Sequence, residues 1–529
     1  MHFASFDTND PVFDIAGWKL SFQIITLENI YGLSPDETTL TQDSDSWRLE
    51  CAGLRWGGGQ QRANGSAHVE ARLDGGRLRL DIRAEASERI TAVKVLARDL
   101  PALHILDMLD NPREVPFDGL LDKYPNGLRA PVWFAVLPDG ETLGFRCEDA
   151  QFRAKRFAAY PERMGRLAGR YTIECIFEED ARCFDTRITV PTWVFGRGAQ
   201  PERFRDGQLD FTEKTGRLTR WEDRRDVPAW ARDLKLVLTL HGMHWSGYTF
   251  NTYDDMLNII RYVTERIDGA HVLAYLPGWE GRYYWQYGDF RPDPLLGGEE
   301  RFAKLCSEAR ARGVHVMPMF GGNCANSWMP NFHTFGPSSY MKTATRNLFL
   351  GNQPDWNTAR TNDTGWQAWL NPGAPAWQTE LTRQILTLAD RYGFDSAFLD
   401  TVEVWTNDPD FNIREGYIQL VQRLRDGRPD MLIAGEDWWD GLLDIFPLFQ
   451  QTSKWRQVPD WVGRYARLMG HICDGEASRG STGVFESGYA KYERLPDKPF
   501  YIPTLAFVDG TLENARDEIE AVIALAKAR

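Results

Sequence analysis

Cysteine is scarce and poorly spaced for either of its structural uses. The 529 residues hold seven, at positions 51, 147, 175, 183, 306, 324 and 473, an odd number with no CxxC pair. That distribution argues against a disulfide framework and a CxxC-type zinc site, and it suits thiols of a reducing compartment. Long apolar runs are missing as well: no stretch approaches the roughly 18 residues of a membrane span. The opening Met1-His2-Phe3-Ala4-Ser5-Phe6-Asp7 has neither a basic region nor an apolar core, so no secretory leader is legible and a cytoplasmic location is expected. Positive charge is in deficit: 61 Lys and Arg against 75 Asp and Glu leave a formal charge of −14. A field of that sign repels phosphate backbones and anionic lipid, so neither nucleic acid nor membrane is an expected partner. The excess is in tryptophan, with 20 residues and aromatics at 13% of the chain. Aromatic area builds cores, and it also supplies flat faces for sugar rings.

Residues 1–198 read as an antiparallel β-sandwich. Leu78-Arg79-Leu80-Asp81-Ile82 and the run from Tyr171 to Phe177 alternate apolar and polar with period two. Asp74-Gly75-Gly76 supplies a turn. Asp139-Gly140 supplies another, between Trp133–Leu137 and Leu143–Phe145. Residues 199–233, rich in charge of both signs, read as a linker wrapping between domains. From 234 to 529 the rhythm becomes strand, loop, helix, the pattern of a (β/α)8 barrel, which typically needs about 250 residues. Strands are expected at 236–240, 272–276, 314–320, 394–400, 431–436 and 502–508, with the sixth and seventh between 441 and 475. Helical stripes fall at Met256/Ile259/Ile260/Val263, Phe302/Leu305/Cys306/Ala309, Trp377/Leu381/Ile385/Leu388, Tyr417/Leu420/Val421/Leu424 and Ile519/Val522/Ile523/Ala526. A doubly wound open sheet is the competing architecture, but no glycine-rich phosphate loop follows the first strand.

In such a barrel the active site lies at the C-terminal ends of the strands. Those ends read His241 and His244, Trp279 and Glu280, Asn323, Asp400, and Glu436. Two carboxylates ending adjacent parallel strands enter one mouth together. Glycoside hydrolysis needs that pair, one group to attack or activate water and the other to protonate the leaving oxygen. Held close, like charges push one proton affinity upward, which keeps one group protonated as the acid. Around the pair, Trp279, Arg282, Tyr283, Tyr284 and Trp285 crowd the loop after the second strand. A loop of more than 40 residues after the third carries Asn323, Asn326 and Trp328, as a lid or substrate wall would. Glu403 and Trp405 follow Asp400, and Asp437, Trp438 and Trp439 follow Glu436. Asp474, Glu476 and Asp509 come from the last strands. The residues expected to bind sugar are His241, His244, Trp279, Arg282, Tyr283, Asn323, Trp328, Trp405, Trp438 and Asp474.

The segment Gly393-Phe394-Asp395-Ser396-Ala397-Phe398-Leu399-Asp400, followed by Ile433-Ala434-Gly435-Glu436-Asp437-Trp438, resembles retaining α-glycosidases of the α-amylase type. Their relatives include the endo- and exo-α-N-acetylgalactosaminidase families. Trp369-Leu370-Asn371-Pro372, leading into Trp377, is similar to the segment before the fourth strand of those hydrolases, and the β domain before the barrel is similar too. The resemblance implies Asp400 as nucleophile, Glu436 as acid/base, a carbohydrate substrate with an α linkage, and no cofactor or metal in the reaction.

A metal-dependent barrel hydrolase would need histidines on several strands. Only nine exist, and His241 and His244 are spaced HxxH. An enolase-like lyase would want a third acid where Asn323 stands. A non-catalytic carbohydrate-binding barrel, or an inverting glycosidase using the same two carboxylates, are the remaining alternatives.

Overall fold

The computed structural model describes residues 11–56, 61–163, 167–244, 247–282, 284–349, 366–451, 458–470, 498–508 and 510–529. The chain divides into two compact units, Met1–Leu218 and Thr219–Arg529. In the first, the alternation read from the sequence becomes two nine-stranded sheets with antiparallel pairing throughout. Strands Gly65–Asp74 and Arg77–Ala86 form a hairpin turned by Gly75 and Gly76, and Val132–Val136 pairs with Thr142–Glu148 around Asp139-Gly140. Because side chains alternate across a strand, one face of each sheet is apolar. Leu20, Ile24, Val93 and Val95 from one sheet and Leu49, Val69, Leu80 and Trp193 from the other merge into one buried cluster.

Residues 199–233, expected as a linker, are not extended. Pro201–Lys214 is a 14-residue helix that starts on proline, whose fixed φ suits a first helical turn. Phe204 sets its edge against Phe134 and joins Val194 in a small cluster of the first unit. Short turns at Trp221–Asp223 and Ala229–Arg232 belong to the second unit. Part of the charge that suggested a linker lies on the solvated face of this helix, and Arg224 beyond it is buried.

The first unit also buries an ion cluster. Lys155 Nζ lies 2.5 Å from Asp149 Oδ2, Arg153 reaches the same carboxylate at 3.1 Å, and Arg153 bonds Glu179 at 2.8 Å. Burial alone would raise the Asp149 carboxyl, but Lys155 and Arg153 hold it well below the usual carboxylate range. A depressed carboxylate contributes its stability in full above the unfolded value of about 3.9, and loses it as pH falls toward the folded value. Lys155→Ala is expected to destabilise this unit by about 1.5–3 kcal/mol, because the buried Asp149 keeps Arg153 but loses its shorter charged hydrogen bond. Asp149→Leu combined with Lys155→Met should cost far less. Denaturant unfolding of the three proteins at pH 7 checks this; equal losses in the single and double variants would contradict it.

The second unit is built on eight parallel strands: β1 Leu236–Leu240, β2 Val272–Leu276, β3 His315–Gly321, β4 Ser396–Asp400, β5 Leu432–Glu436, β6 Leu448–Gln451, β7 Arg467–Gly470 and β8 Thr504–Phe507. Their order is β7-β6-β5-β4-β3-β2-β1-β8. The two ends are tied by Ile502 N–H to Leu468 O at 2.8 Å and Gly470 N–H to Thr504 Oγ1 at 2.8 Å, so the sheet nearly closes on itself. β1, β2 and β4 are buried at every position, as strands covered on both faces must be.

Helices Tyr253–Thr264, Gly298–Ala311, Pro375–Tyr392, Ile413–Gly427 and Arg516–Ala528 carry the expected stripes inward. Thr252 opens the first with a capping box to Asp255, and Gly393 closes the third at φ +75°, the left-handed geometry that ends a helix. After β5 and β6 the described residues hold only the single turns Asp440–Leu442 and Asp460–Arg464. With no helical stripe to mark them, β6 and β7 had only a coarse signal. Among the described residues no helix is long and apolar enough to cross a membrane.

Candidate active site

Register brings the two carboxylates together. Leu399 pairs with Gly435 in the parallel ladder, so the next residues, Asp400 and Glu436, leave neighbouring strands side by side. The two carboxyls are close enough for each charge to act on the other. Gly435 permits the approach, since a Cβ there would lie 2.8 Å from Val402 Cγ2. Burial and then the Glu436 charge drive the Asp400 carboxyl well above the ordinary range, and the Tyr287 hydroxyl opposes them. Two adjacent carboxyls in a desolvated site share one proton, leaving one ionised and one able to donate.

Tyr287 donates from its hydroxyl to Asp400 Oδ2 at 2.7 Å. Its ring lies flat on Gly321 at the end of β3, where a Cβ would come within 2.3 Å of the ring; any other residue would push the hydroxyl off Asp400. Burial first, then the negative charge of Asp400, raises the Tyr287 hydroxyl far above its ordinary value, which keeps it a donor. Tyr284 is raised chiefly by Asp400 itself. Tyr287→Phe is expected to lower turnover about 10–100-fold, the worth of one hydrogen bond to a charged group. Because the donor favours the ionised carboxylate, its loss raises the Asp400 value and moves the acid limb of the pH–rate profile to higher pH. An unchanged limb would contradict the assignment.

Backbone strain concentrates at the same place. Thr401 and Asp437, each following one of the paired carboxylates, have φ of +63° and +49°, and Tyr284 has +62°. A β-branched residue in that region costs on the order of 1–3 kcal/mol and persists only where its surroundings hold it. Thr401 N–H donates to Glu436 Oε2 at 2.9 Å. Asn323 Nδ2 donates to Thr401 O at 2.9 Å, and the Thr401 hydroxyl donates to Asn323 Oδ1.

Further acids crowd the mouth. Glu403 has a buried oxygen with no hydrogen-bond partner, and burial followed by the charges of Glu436 and Asp437 raises it well above the ordinary range. Glu280, past β2, is 0% exposed, and burial raises it as well. In both, the surroundings favour the neutral acid over the carboxylate. No group of three or more His, Cys, Asp or Glu among the described residues is arranged to hold a metal ion.

The remaining residues expected to bind sugar divide. Trp279 is 0% exposed, stacks on Phe302 and donates its indole N–H to Met319 O at 2.8 Å, so it packs the barrel and presents no face to a ligand. Trp438 is likewise buried, bonded to Gln451 Oε1 at 2.8 Å and edge-on to Trp461. The aromatic count alone could not separate these core rings from exposed ones.

Asn323 is buried with its amide spent on Thr401, which makes it a brace where a ligand was expected. His241 is buried against Phe250 and His244. Trp328, 61% exposed, stands edge-on to the half-buried Trp285, over which Arg282 lies at 5.2 Å. Trp405 is half-buried in the segment after β4. Tyr283, Asp474, Glu476 and Asp509 lie outside the described residues. Tyr287 and Thr401 escaped the sequence reading. An aromatic-rich loop does not show which tyrosine faces inward, and no sequence signal marks a threonine with positive φ.

No family model matches the chain, and no curated protein matches it in sequence. Among solved structures it is similar to the α-N-acetylgalactosaminidase NagBb from Bifidobacterium bifidum. The ligand-free form matches over 100% of this chain and 93% of that one, with TM-score 0.61 and 12% identity. The Gal-NHAc-DNJ complex of the same protein matches with TM-score 0.63 and 14% identity, over 100% and 92%. The GH36 α-galactosidase AgaA from Geobacillus stearothermophilus, in complex with raffinose, matches over 96% of this chain and 74% of that one, with TM-score 0.52 and 10% identity. At such identities the likeness is one of fold.

Proposed function

We propose that this protein is a glycoside hydrolase that cleaves an α-linked glycoside or oligosaccharide by double displacement, with Asp400 as nucleophile and Glu436 as acid/base. The observation that carries the reading is the buried, electrostatically coupled carboxyl pair that ends two adjacent barrel strands. In the first step an Asp400 oxygen bonds to the anomeric carbon while the bond to the leaving oxygen breaks. That oxygen takes its proton from Glu436. In the second, Glu436 removes a proton from water, the water oxygen bonds to the anomeric carbon, and the ester to Asp400 breaks. Carboxyls leaving neighbouring strands side by side support this route, which needs about 5–5.5 Å between them, over inversion, which needs about 6.5–9.5 Å for a water. Tyr287 supports the role of Asp400, since its hydroxyl stabilises the ionised form in a site that otherwise resists charge.

The α preference rests on the segments around Asp400 and Glu436 and agrees with the activities named for NagBb and AgaA. The sandwich-plus-barrel organisation of residues 1–198 and 234–529, and sugar contacts by Arg282, Trp328 and Trp405, belong to the same reading. Turnover of α-linked aryl glycosides, with the α anomer as the first product by proton NMR, is the expected result. A β anomer formed first would replace retention by inversion, and cleavage confined to β-glycosides would overturn the α assignment.

A further inference from the structure

Thr401 joins the two carboxylates in a way the reaction alone does not require. It follows Asp400 directly, its N–H donates to Glu436 Oε2 at 2.9 Å, and its hydroxyl, with one hydrogen to give, lies between Asn323 Oδ1 and Asp400 O, the latter at 2.7 Å. Asn323 completes the bracket with its own donation to Thr401 O at 2.9 Å, and Cys324 Sγ sits 3.7 Å from the hydroxyl. The Thr401 N–H lies in the peptide plane whose carbonyl, Asp400 O, accepts from Gly322 N–H at 3.0 Å, and φ +63° then turns the chain sharply, a strained conformation that its neighbours must hold. Asn323 is fully buried and grips this residue from the end of β3.

We propose that Asn323 is a positioning residue for the acid/base: by holding Thr401 through both its carbonyl and its hydroxyl, it keeps the peptide that carries the Thr401 N–H against Glu436 Oε2 and leaves Oε1 as the oxygen that carries the transferable proton. A carbonyl-type oxygen accepts an N–H better than a hydroxyl oxygen does, so the Thr401 donation to Oε2 favours the neutral acid's hydrogen on the other oxygen. The inference rests on the assignment of Glu436 as acid/base, but the contact is observable without turnover.

The groups facing Glu436 come from several elements: Asp400 at the end of β4, Glu403 in the following turn, Tyr275 on β2, Tyr284 in the loop after β2, Cys324 after β3, and its chain neighbour Asp437. A negative charge on Asp400 opposes one on Glu436, while the tyrosines stay protonated and neutral. The Thr401 amide favours charge on Glu436, because an N–H donated to a carboxylate stabilises the ionised form.

The test compares wild type with Asn323→Ala, Thr401→Val and Thr401→Ser. The Glu436 carboxyl is titrated by carbon NMR of 13C-carboxyl-labelled glutamate, and its signal is identified by loss in Glu436→Gln. Thr401→Val keeps the shape and β-branching of the residue and removes only the hydroxyl, so it reports even if Asn323→Ala folds poorly; Thr401→Ser should titrate as wild type. The expected result is a Glu436 midpoint raised by about one pH unit in both the Ala and Val variants, as loss of a donor to a carboxylate requires. Coincident titrations in all four proteins would overturn the proposal.

In the active enzyme the same variants should lose up to about 100-fold with an alkyl leaving group, which needs the acid, and less than about threefold with a dinitrophenyl group, which does not. Equal losses on both substrates would mean a general structural role and would also overturn it. Wild type that turns over nothing would refute the hydrolase reading, and the NMR titration would still decide this one.

Discussion

Asp400→Asn is expected to cut turnover of every α-glycoside the wild type accepts by about 10⁴–10⁶-fold, while the protein stays folded. A carboxamide has no charge to spend on the anomeric carbon, and removal of a nucleophile leaves only binding and the other groups of the site. The substitution is nearly isosteric, so the Tyr287 hydroxyl can still donate to the amide oxygen where it now meets Asp400 Oδ2. It also removes a buried carboxyl that its neighbours force toward protonation. Thermal unfolding should therefore be unchanged or shifted upward, the signature of a residue kept for chemistry at the expense of stability. Initial rates on a panel of α- and β-linked aryl glycosides, beside melting curves, test both halves. Activity within tenfold of wild type would place the nucleophile elsewhere.

Glu436→Gln is the second large effect, and its size should depend on the leaving group. General acid assistance is worth about 10²–10⁴-fold where the departing oxygen is basic, and little where it is a dinitrophenolate. With the activated substrate the first step proceeds and the second stalls, because no base remains to take a proton from water. Azide needs no deprotonation, so adding it should restore release of the sugar as an α-configured glycosyl azide. The geometry favours this assignment because Glu436 is the more accessible of the pair, half-buried where Asp400 is buried. A uniform loss across leaving groups with no azide product would reverse the two roles or point to inversion.

Much of this arrangement could be read in the sequence, for identifiable reasons. Periodicity reports burial, and burial is what a barrel imposes on β1, β4 and the helix stripes such as Tyr417/Leu420/Val421/Leu424. The ends of strong apolar strands are visible as the first polar residue after them, so Asp400 and Glu436 stood out. Where the helices shrink to single turns, after β5 and β6, that signal failed and the strands there could only be bracketed. In the charged stretch after residue 198 the helix was not legible, for a related reason. A helix with one small buried face, here Phe204, Gln208, Leu209 and Thr212, looks like solvated chain when its charges are counted.

Local sequence, through hydrophobic period and the polar residue that ends a strand, determined by itself that two carboxylates stand at the mouth of a parallel barrel. Only the tertiary structure decided what surrounds them, because that depends on which strands become neighbours and how closely backbones approach. Register set Leu399 against Gly435 and thereby put Asp400 beside Glu436. The bare face of Gly321 admitted Tyr287, a residue 113 positions from its partner. Packing buried Trp279 and Trp438 yet left Trp328 exposed, though in sequence all three are tryptophans following a strand. Asn323, expected at the ligand, turned out to spend its amide on the residue that follows Asp400. The choice between ligand and brace lies in the fold, since the same side chain makes the same hydrogen bonds to a sugar hydroxyl or to a threonine.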